Sequence, residues 1–298
     1  MKSLKKALVL GGTRFFGVHL VEALLEKGFE VTIATRGKTE DSFSNRVNRI
    51  IVDRLNLKEF KQLLDKETWD IVFDQICYSS QEALAAIEVF KDNTKKYVFT
   101  SSKSVYDVGN AETGYVEEDF IPTEHPIVIG PKEDFTYNEG KRQAEAVLFQ
   151  KAPFPVVAVR FPIVIGVNDY TERLKFYVEK VVNQEEIHLV NLEAAMDFIS
   201  EEEAGQFLAW IGLSDFNGPI NATSNGSVKL QEMIYIIEEK AKASAKIIST
   251  DNEDNISPYN ISETWLISNE KAKELRFEFR ELKEYLPKLV EDLMKAVK

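Results

Sequence analysis

The chain has 298 residues, 44% of them hydrophobic, and a net charge of −12. This is enough apolar material for one large domain or two unequal ones, while the acidic balance argues against a nucleic-acid or anionic-membrane surface. No apolar run reaches membrane-spanning length, the single cysteine Cys77 allows no intramolecular disulfide, and His19, His125 and His188 show no metal-ligand spacing, so a cytoplasmic protein without a metal is expected.

Lys2, Lys5 and Lys6 ahead of Ala-Leu-Val-Leu imitate the start of a signal peptide. The apolar stretch is too short for one, and it ends in a glycine turn rather than a small-residue cleavage site. Residues 1–165 then alternate β-rich runs with amphipathic helices. The strands are expected at 7–10, 30–35, 49–53, 70–77, 96–101 and 156–160. Phe16, Leu20 and Leu24 share one face of the first helix, and Ser79 with Glu82 offers a capping box for another carrying Ala83, Ile87 and Phe90. Strands apolar on both faces and separated by helices imply a Rossmann-like, doubly wound α/β fold with a parallel sheet.

Later helices are expected near 171–184, 200–212, 229–243 and 269–297, with Glu201-Glu202-Glu203 as a solvated helix start. The expected division is a dinucleotide-binding domain at 1–165, to which part of 197–223 returns, and a smaller substrate lobe at 166–298.

Residues 7–17 read as an apolar strand running into a glycine turn and a helix, the context a dinucleotide motif requires. Gly11 permits the turn, Gly17 lets the helix pack on the strand, and the middle position falls on Arg14. Gly11, Thr13, Arg14, Phe15, Phe16 and Gly17 are therefore candidate cofactor contacts. The second strand ends in Ala34-Thr35-Arg36-Gly37-Lys38, without the acid that accepts adenosine ribose hydroxyls. Arg36 and Lys38 suit a 2′-phosphate, which favours NADP over NAD. Asp53, ending the third strand, is a candidate for the adenine amino group.

Tyr137 and Lys141 stand one helical turn apart. A tyrosine is a poor base at neutral pH, but an adjacent ammonium and a positive nicotinamide ring stabilise its phenolate. Tyr137 could then exchange a proton with a substrate hydroxyl as hydride moves, while Lys141 holds the nicotinamide ribose. Ser102, at the carboxyl end of a central strand, would hydrogen-bond the reacting oxygen. Alternation along the strand lets only one of Ser101 and Ser102 face the cleft.

These features resemble the extended short-chain dehydrogenase/reductases, the epimerase/dehydratase family. The markers are Gly-Gly-Thr-Arg-Phe-Phe-Gly (11–17), Thr-Ser-Ser-Lys-Ser-Val-Tyr (100–106), Tyr137 with Lys141, Arg-Phe-Pro-Ile-Val-Ile-Gly (160–166) and Met-Asp-Phe-Ile (196–199). Asn221-Ala222-Thr223 and Trp265–Leu275 resemble the family's late strand and C-terminal segment. The resemblance implies a catalytic set of Ser102, Tyr137 and Lys141, with Tyr78 bordering the nicotinamide and Phe161 and Pro162 shaping the cleft beneath it.

Departures narrow the expected activity. The family's 4,6-dehydratases carry Asp-Glu after the catalytic Ser/Thr, where this chain has Lys103-Ser104. Epimerases carry an arginine before Asp-Phe-Ile and another in the C-terminal segment. Here the first is Met196, and the run from 257 to 271 has none. Arg173 and Ser104 are the remaining candidate substrate contacts. The expectation is an NAD(P)-dependent epimerase or reductase acting on a hydroxyl or ketone of a sugar-like or nucleotide-sugar small molecule, with dehydration disfavoured. Its partners would be that small molecule and, at most, a second copy in a homodimer.

Gly-Gly-Thr-Arg-Phe also resembles an atypical branch containing chloroplast stem-loop-binding proteins. That leaves a cofactor-sensing or RNA-binding role as the alternative. Cys77 and His188 are expected to be core residues, and Trp265 either lines the substrate lobe or fills its core.

Overall fold

All six early β-rich runs become strands of one parallel sheet. The computed structural model describes residues 5–107, 113–249 and 257–297. In chain order the elements are β1 Lys6–Leu10, α1 Phe16–Glu26, β2 Glu30–Thr35, β3 Asn48–Ile51, α2 Leu57–Leu64, β4 Ile71–Asp74, α3 Ser80–Phe90, β5 Tyr97–Ser102, α4 Tyr137–Lys151 and β6 Val156–Phe161. These are followed by β7 Ile163–Ile165, α5 Arg173–Val182, β8 Glu186–Leu189, β9 Ala195–Met196, β10 Phe198–Ser200, α6 Glu201–Leu213 and β11 Gly218–Asn221. The chain continues through β12 Val228–Lys229, α7 Leu230–Ala241, β13 Lys246–Ser249, α8 Glu270–Glu274 and α9 Leu282–Met294. No helix among the described residues is long and apolar enough to cross a membrane.

The chain divides into two compact units. The first comprises Met1–Tyr106, Glu117–Phe161 and Ala204–Ala222, and the second Asp107–Val116, Pro162–Glu203 and Thr223–Lys298. In the first, seven parallel strands are ordered β11-β6-β5-β4-β1-β2-β3. The chain winds outward from β1 through β2 to β3, then returns to lay β4, β5 and β6 on the other side. The strand order therefore reverses between β1 and β4, and a crevice opens at their carboxyl ends, where open α/β sheets hold ligands.

Burial explains why these runs are strands. Every residue of β4 and β6 is buried, so neither can alternate with polar residues. One face of the sheet is covered by α2, α3 and α4, where Phe60, Phe90, Tyr97, Phe99, Val147 and Leu148 form a continuous core. Each such side chain contributes about 1.5–3 kcal/mol on full burial.

The second unit has its own core of Tyr177, Val178, Ile187, Phe198, Ile234 and Leu286, built largely from α5, α7 and α9 with β8 and β10. Three expectations change here. The stretch 269–297 is not one helical run: α8 stops after five residues, Arg276 turns left-handed with φ 74°, and α9 begins only at Leu282. Nor is Glu201-Glu202-Glu203 a solvated start. Glu201 and Glu203 are buried, with Glu201 Oε1 accepting the Asn168 N–H and Glu203 accepting the Ser224 hydroxyl and the Arg280 N–H. His188 is half-buried beside Glu186 on the β8–β13 ribbon rather than packed in the core.

Candidate active site

The turn after β1 is shaped by a doubled glycine. Gly11 and Gly12 adopt φ 99° and 86°, a region L side chains avoid, and a Cβ on Gly12 would lie 2.9 Å from Val9 Cγ1. Gly17 is confined by space: a Cβ there would meet Gln75 Oε1 at 2.6 Å and Gly12 Cα at 2.9 Å. Arg14 is exposed between them, Thr13 is half-buried, and Phe15 holds a strained φ of 51° at the start of α1. Helix α1 opens without a side-chain cap. Gly12 joins Gly11 and Gly17 as a candidate contact outside the expected set, and its signal is the Gly-Gly pair in the sequence.

Opposite the turn runs the loop from β4 to α3. Asp74 fixes its start: both carboxylate oxygens accept from buried Arg54 Nη1, at 2.8 and 2.9 Å, and Oδ1 also accepts the Ile76 N–H at 3.0 Å. The Tyr97 hydroxyl completes the Asp74 network. Gln75 donates its N–H to the Leu10 carbonyl at 3.2 Å, and its Nε2 is buried with no partner among the described residues. Cys77 is fully buried, and burial pushes its thiol up to about 12, so it is a core residue and no nucleophile. The expected capping box is only half formed. Ser79 Oγ accepts the Glu82 N–H, but the Glu82 carboxylate accepts the N–H of Tyr78 at 2.6 Å instead of that of Ser79.

The doubly wound order brings β5 and α4 beside this loop. Thr136 caps α4, accepting the Glu139 N–H, so Tyr137 is the first helical residue and Lys141 lies one turn below it. Tyr137 is 55% exposed and Lys141 only 2%. Lys141 Nζ donates to the carbonyls of Cys77 and Thr100, both at 2.8 Å. Its ammonium lies 4.4 Å from the ring centroid of Tyr78, 4.8 Å from Phe99 and 5.9 Å from Tyr137.

The serine question is answered by hydrogen bonding. Ser101 is buried and donates to Glu145 Oε1, whereas Ser102 is half-buried at the end of β5 and accepts the Ser104 N–H at 3.2 Å. Ser102 Oγ thus keeps its own proton available. Lys103 and Ser104 are both buried.

The remaining candidates are distributed as follows. Arg36 and Lys38 are exposed just past β2 and make no hydrogen bond or ion pair among the described residues. Asp53 lies two residues beyond the end of β3, its carboxylate accepting the Leu55 N–H. Phe161 is buried between Phe16 and Phe207, at 5.9 and 6.4 Å, so its ring is core beneath the site rather than a lining surface. Pro162 and Arg173 belong to the second unit, where Arg173 opens α5 and donates to Thr171 Oγ1.

These residues fit a dinucleotide. The glycine turn leaves backbone where any Cβ would intrude, the start of α1 presents amides and a positive dipole, and Gln75, whose buried Nε2 has no partner among the described residues, packs against Gly11 and Gly17.

The chain is 28% identical over 160 residues to the chloroplast stem-loop binding protein of 41 kDa b from Arabidopsis thaliana, a match covering 49% of this chain and 39% of that protein. Its fold is similar to UDP-glucose 4-epimerase from Thermotoga maritima, with a TM-score of 0.76 at 18% identity over 98% of this chain and 100% of the other. It is also similar to the UDP-glucuronic acid 4-epimerase of Bacillus cereus in complex with UDP-glucuronic acid and NAD, with a TM-score of 0.75 at 18% identity over 98% and 100%. At such identities the likeness to the solved structures is one of fold. Residues 7–219 match a whole family in sequence, and on that match the chain belongs to the NAD dependent epimerase/dehydratase family.

Proposed function

We propose that this protein is an NADP-preferring epimerase or reductase that acts on a hydroxyl or ketone of a sugar-like small molecule, with Tyr137 as the acid/base. The observation that carries this reading is the Lys141 ammonium, buried on the Cys77 and Thr100 carbonyls beside a tyrosine that is itself exposed. A lysine placed only for stability would not have to be desolvated next to a phenol.

Gly11, Gly12 and Gly17 with the start of α1 would receive the pyrophosphate, Arg36 and Lys38 the 2′-phosphate, and Lys141 the nicotinamide ribose. When bound, the nicotinamide supplies a hydride acceptor or donor. Ser102, which accepts the Ser104 N–H, would donate a hydrogen bond to the substrate oxygen. Tyr137 takes the hydroxyl proton in the oxidative direction and returns it in reduction, and the Lys141 charge stabilises the phenolate between the two. Buried Lys103 and Ser104, in place of a carboxylate pair, leave no acid after Ser102 to expel water, which supports oxidoreduction over dehydration. Met196 and the arginine-free 257–271 stretch support a substrate that need not carry a diphosphate.

Tyr137→Phe is expected to keep NADP affinity while abolishing turnover in a screen of sugar nucleotides, simple sugars and carbonyl compounds. A variant that still turns over would sink the assignment. Cofactor retained through purification would favour an epimerase, and loosely held cofactor a reductase.

A second reading, as a cofactor-sensing or RNA-binding protein, draws on the chloroplast relative. Salt-sensitive binding of a stem-loop RNA, undiminished in Tyr137→Phe and with no turnover in the screen, would favour it.

A further inference from the structure

A buried ammonium requires compensation, and Lys141 has no carboxylate partner. Among the described residues it forms no ion pair, and two of its three N–H groups end on carbonyl oxygens. Three aromatic rings also face it, and the nearest is Tyr78, 4.4 Å away. A ring face turned to a desolvated cation is worth several times an exposed cation–π contact.

Tyr78 is itself held in place from both ends of its peptide unit. Its N–H donates to Glu82 Oε2, and its carbonyl packs against Gly140, where a Cβ would lie 2.4 Å from the oxygen. Its ring also meets that of Tyr137, centroids 6.4 Å apart. The same loop supplies the Cys77 carbonyl to Lys141. The lysine is therefore clamped by a segment far from it in sequence.

We propose that Tyr78 is a positioning residue whose ring holds the Lys141 ammonium in place beside Tyr137, so that the loop after β4 orients the reactive pair. The proposal rests on the reading of Tyr137 and Lys141 as the reactive pair. Among the described residues, the titratable groups around Lys141 are Tyr137 on its own helix and Tyr78, Cys77 and Glu82 from the loop and α3, while β5 contributes the Thr100 carbonyl and the Phe99 ring. Of the three rings, that of Tyr78 lies nearest the ammonium, and its loop neighbour Cys77 supplies the backbone carbonyl.

The test compares Tyr78→Phe, which keeps the π face, with Tyr78→Leu, which keeps apolar bulk without it. Tyr78→Met serves where the leucine variant does not fold. In the protein without substrate, NMR of the isotope-labelled lysine side chains is expected to show a slowly exchanging Lys141 ammonium in wild type and Tyr78→Phe. Exchange should be roughly tenfold faster in Tyr78→Leu, a factor that corresponds to 1.4 kcal/mol. In turnover assays the pH limb of the site's base is expected to move about half to one unit to the alkaline side in Tyr78→Leu and to overlay wild type in Tyr78→Phe. Superimposable behaviour of wild type and Tyr78→Leu, or equal defects in both variants, would overturn the proposal. The NMR arm reads the Tyr78–Lys141 coupling even where no substrate is turned over, so its failure is distinct from failure of the oxidoreductase reading.

Discussion

The carbonyl oxygen of Tyr78 occupies the space in which Gly140 would carry a Cβ, at a separation of 2.4 Å. Within α4, alanine is intrinsically better than glycine by about 1 kcal/mol, so propensity alone makes Gly140→Ala stabilising. The contact reverses that sign, because the displaced group is backbone of the loop that holds Lys141 rather than a flexible side chain. Gly140→Ala is expected to lose about 1–2 kcal/mol net and to weaken cofactor binding at the same time. A melting temperature above wild type, with binding intact, would show that the loop yields freely.

How much of this site was legible in the chain depends on sequence distance. The Gly11 to Gly17 turn and the Tyr137–Lys141 pair are local patterns, set by the strand-to-helix transition and by a single helical turn, so they could be read directly. The ring of Tyr78 over Lys141 joins residues whose adjacency exists only once β4 and β5 are paired. Gly140 was the available clue, a glycine inside a helix where nothing local requires one. The acidic run at 201–203 misled for the opposite reason. Its charges suggested solvent, while Ser224 and the Arg280 backbone, neither nearby in sequence, satisfy Glu203 in the interior. The single helix expected over 269–297 failed where Phe277, Glu278 and Phe279 change the pattern from a helical period to alternation, with Phe279 buried.

Cofactor preference is open to a direct measurement. Arg36 is exposed and uncommitted beyond β2, next to Gly37 with its φ of 68°. A charge-assisted contact to a 2′-phosphate is worth about 1.5–3 kcal/mol. Arg36→Ala is thus expected to weaken NADP binding roughly tenfold or more and NAD binding less than about twofold, by calorimetric titration. Wild-type protein that binds NAD as tightly as NADP would defeat the assignment.

Lys96 provides a pH signature of the fold. It is buried at the end of α6, donating to the Ile211 and Ser214 carbonyls at 3.0 and 2.6 Å, and burial lowers it from 10.5 to about 8. Between those values the unfolded chain binds the proton and the folded chain does not, so folding stability gains as pH rises through that window. Below about pH 8 both states are charged and the burial penalty is fully present. Denaturant melts of wild type against Lys96→Met are expected to show the wild-type advantage growing by on the order of 1–3 kcal/mol from pH 8 to 10.5. A flat difference, or one that falls, would place the ammonium in a solvated position.

The strictest test of the scaffold under Ser102 is Arg160. Its guanidinium is fully buried and every N–H is used: Nε to Glu145 Oε1, Nη1 to the Tyr106 hydroxyl and the Glu117 carbonyl, Nη2 to the Phe120 carbonyl and Glu145 Oε2. Glu145 in turn accepts the hydroxyl of Ser101, the residue before Ser102. One planar fork therefore ties α4, β5 and the segment at 117–120 together. Lysine keeps the charge but has three donors and no plane, so Arg160→Lys leaves buried acceptors without partners. It is expected to cost about 3 kcal/mol, within the range for disrupting a buried pair. Because Ser101 shares the Glu145 carboxylate, the same variant should lower turnover beyond what the unfolded fraction explains. A double-mutant cycle with Glu145→Gln checks the cause: strong coupling between the two changes is expected, and simple additivity would mean that the fork does not hold the strand end in place.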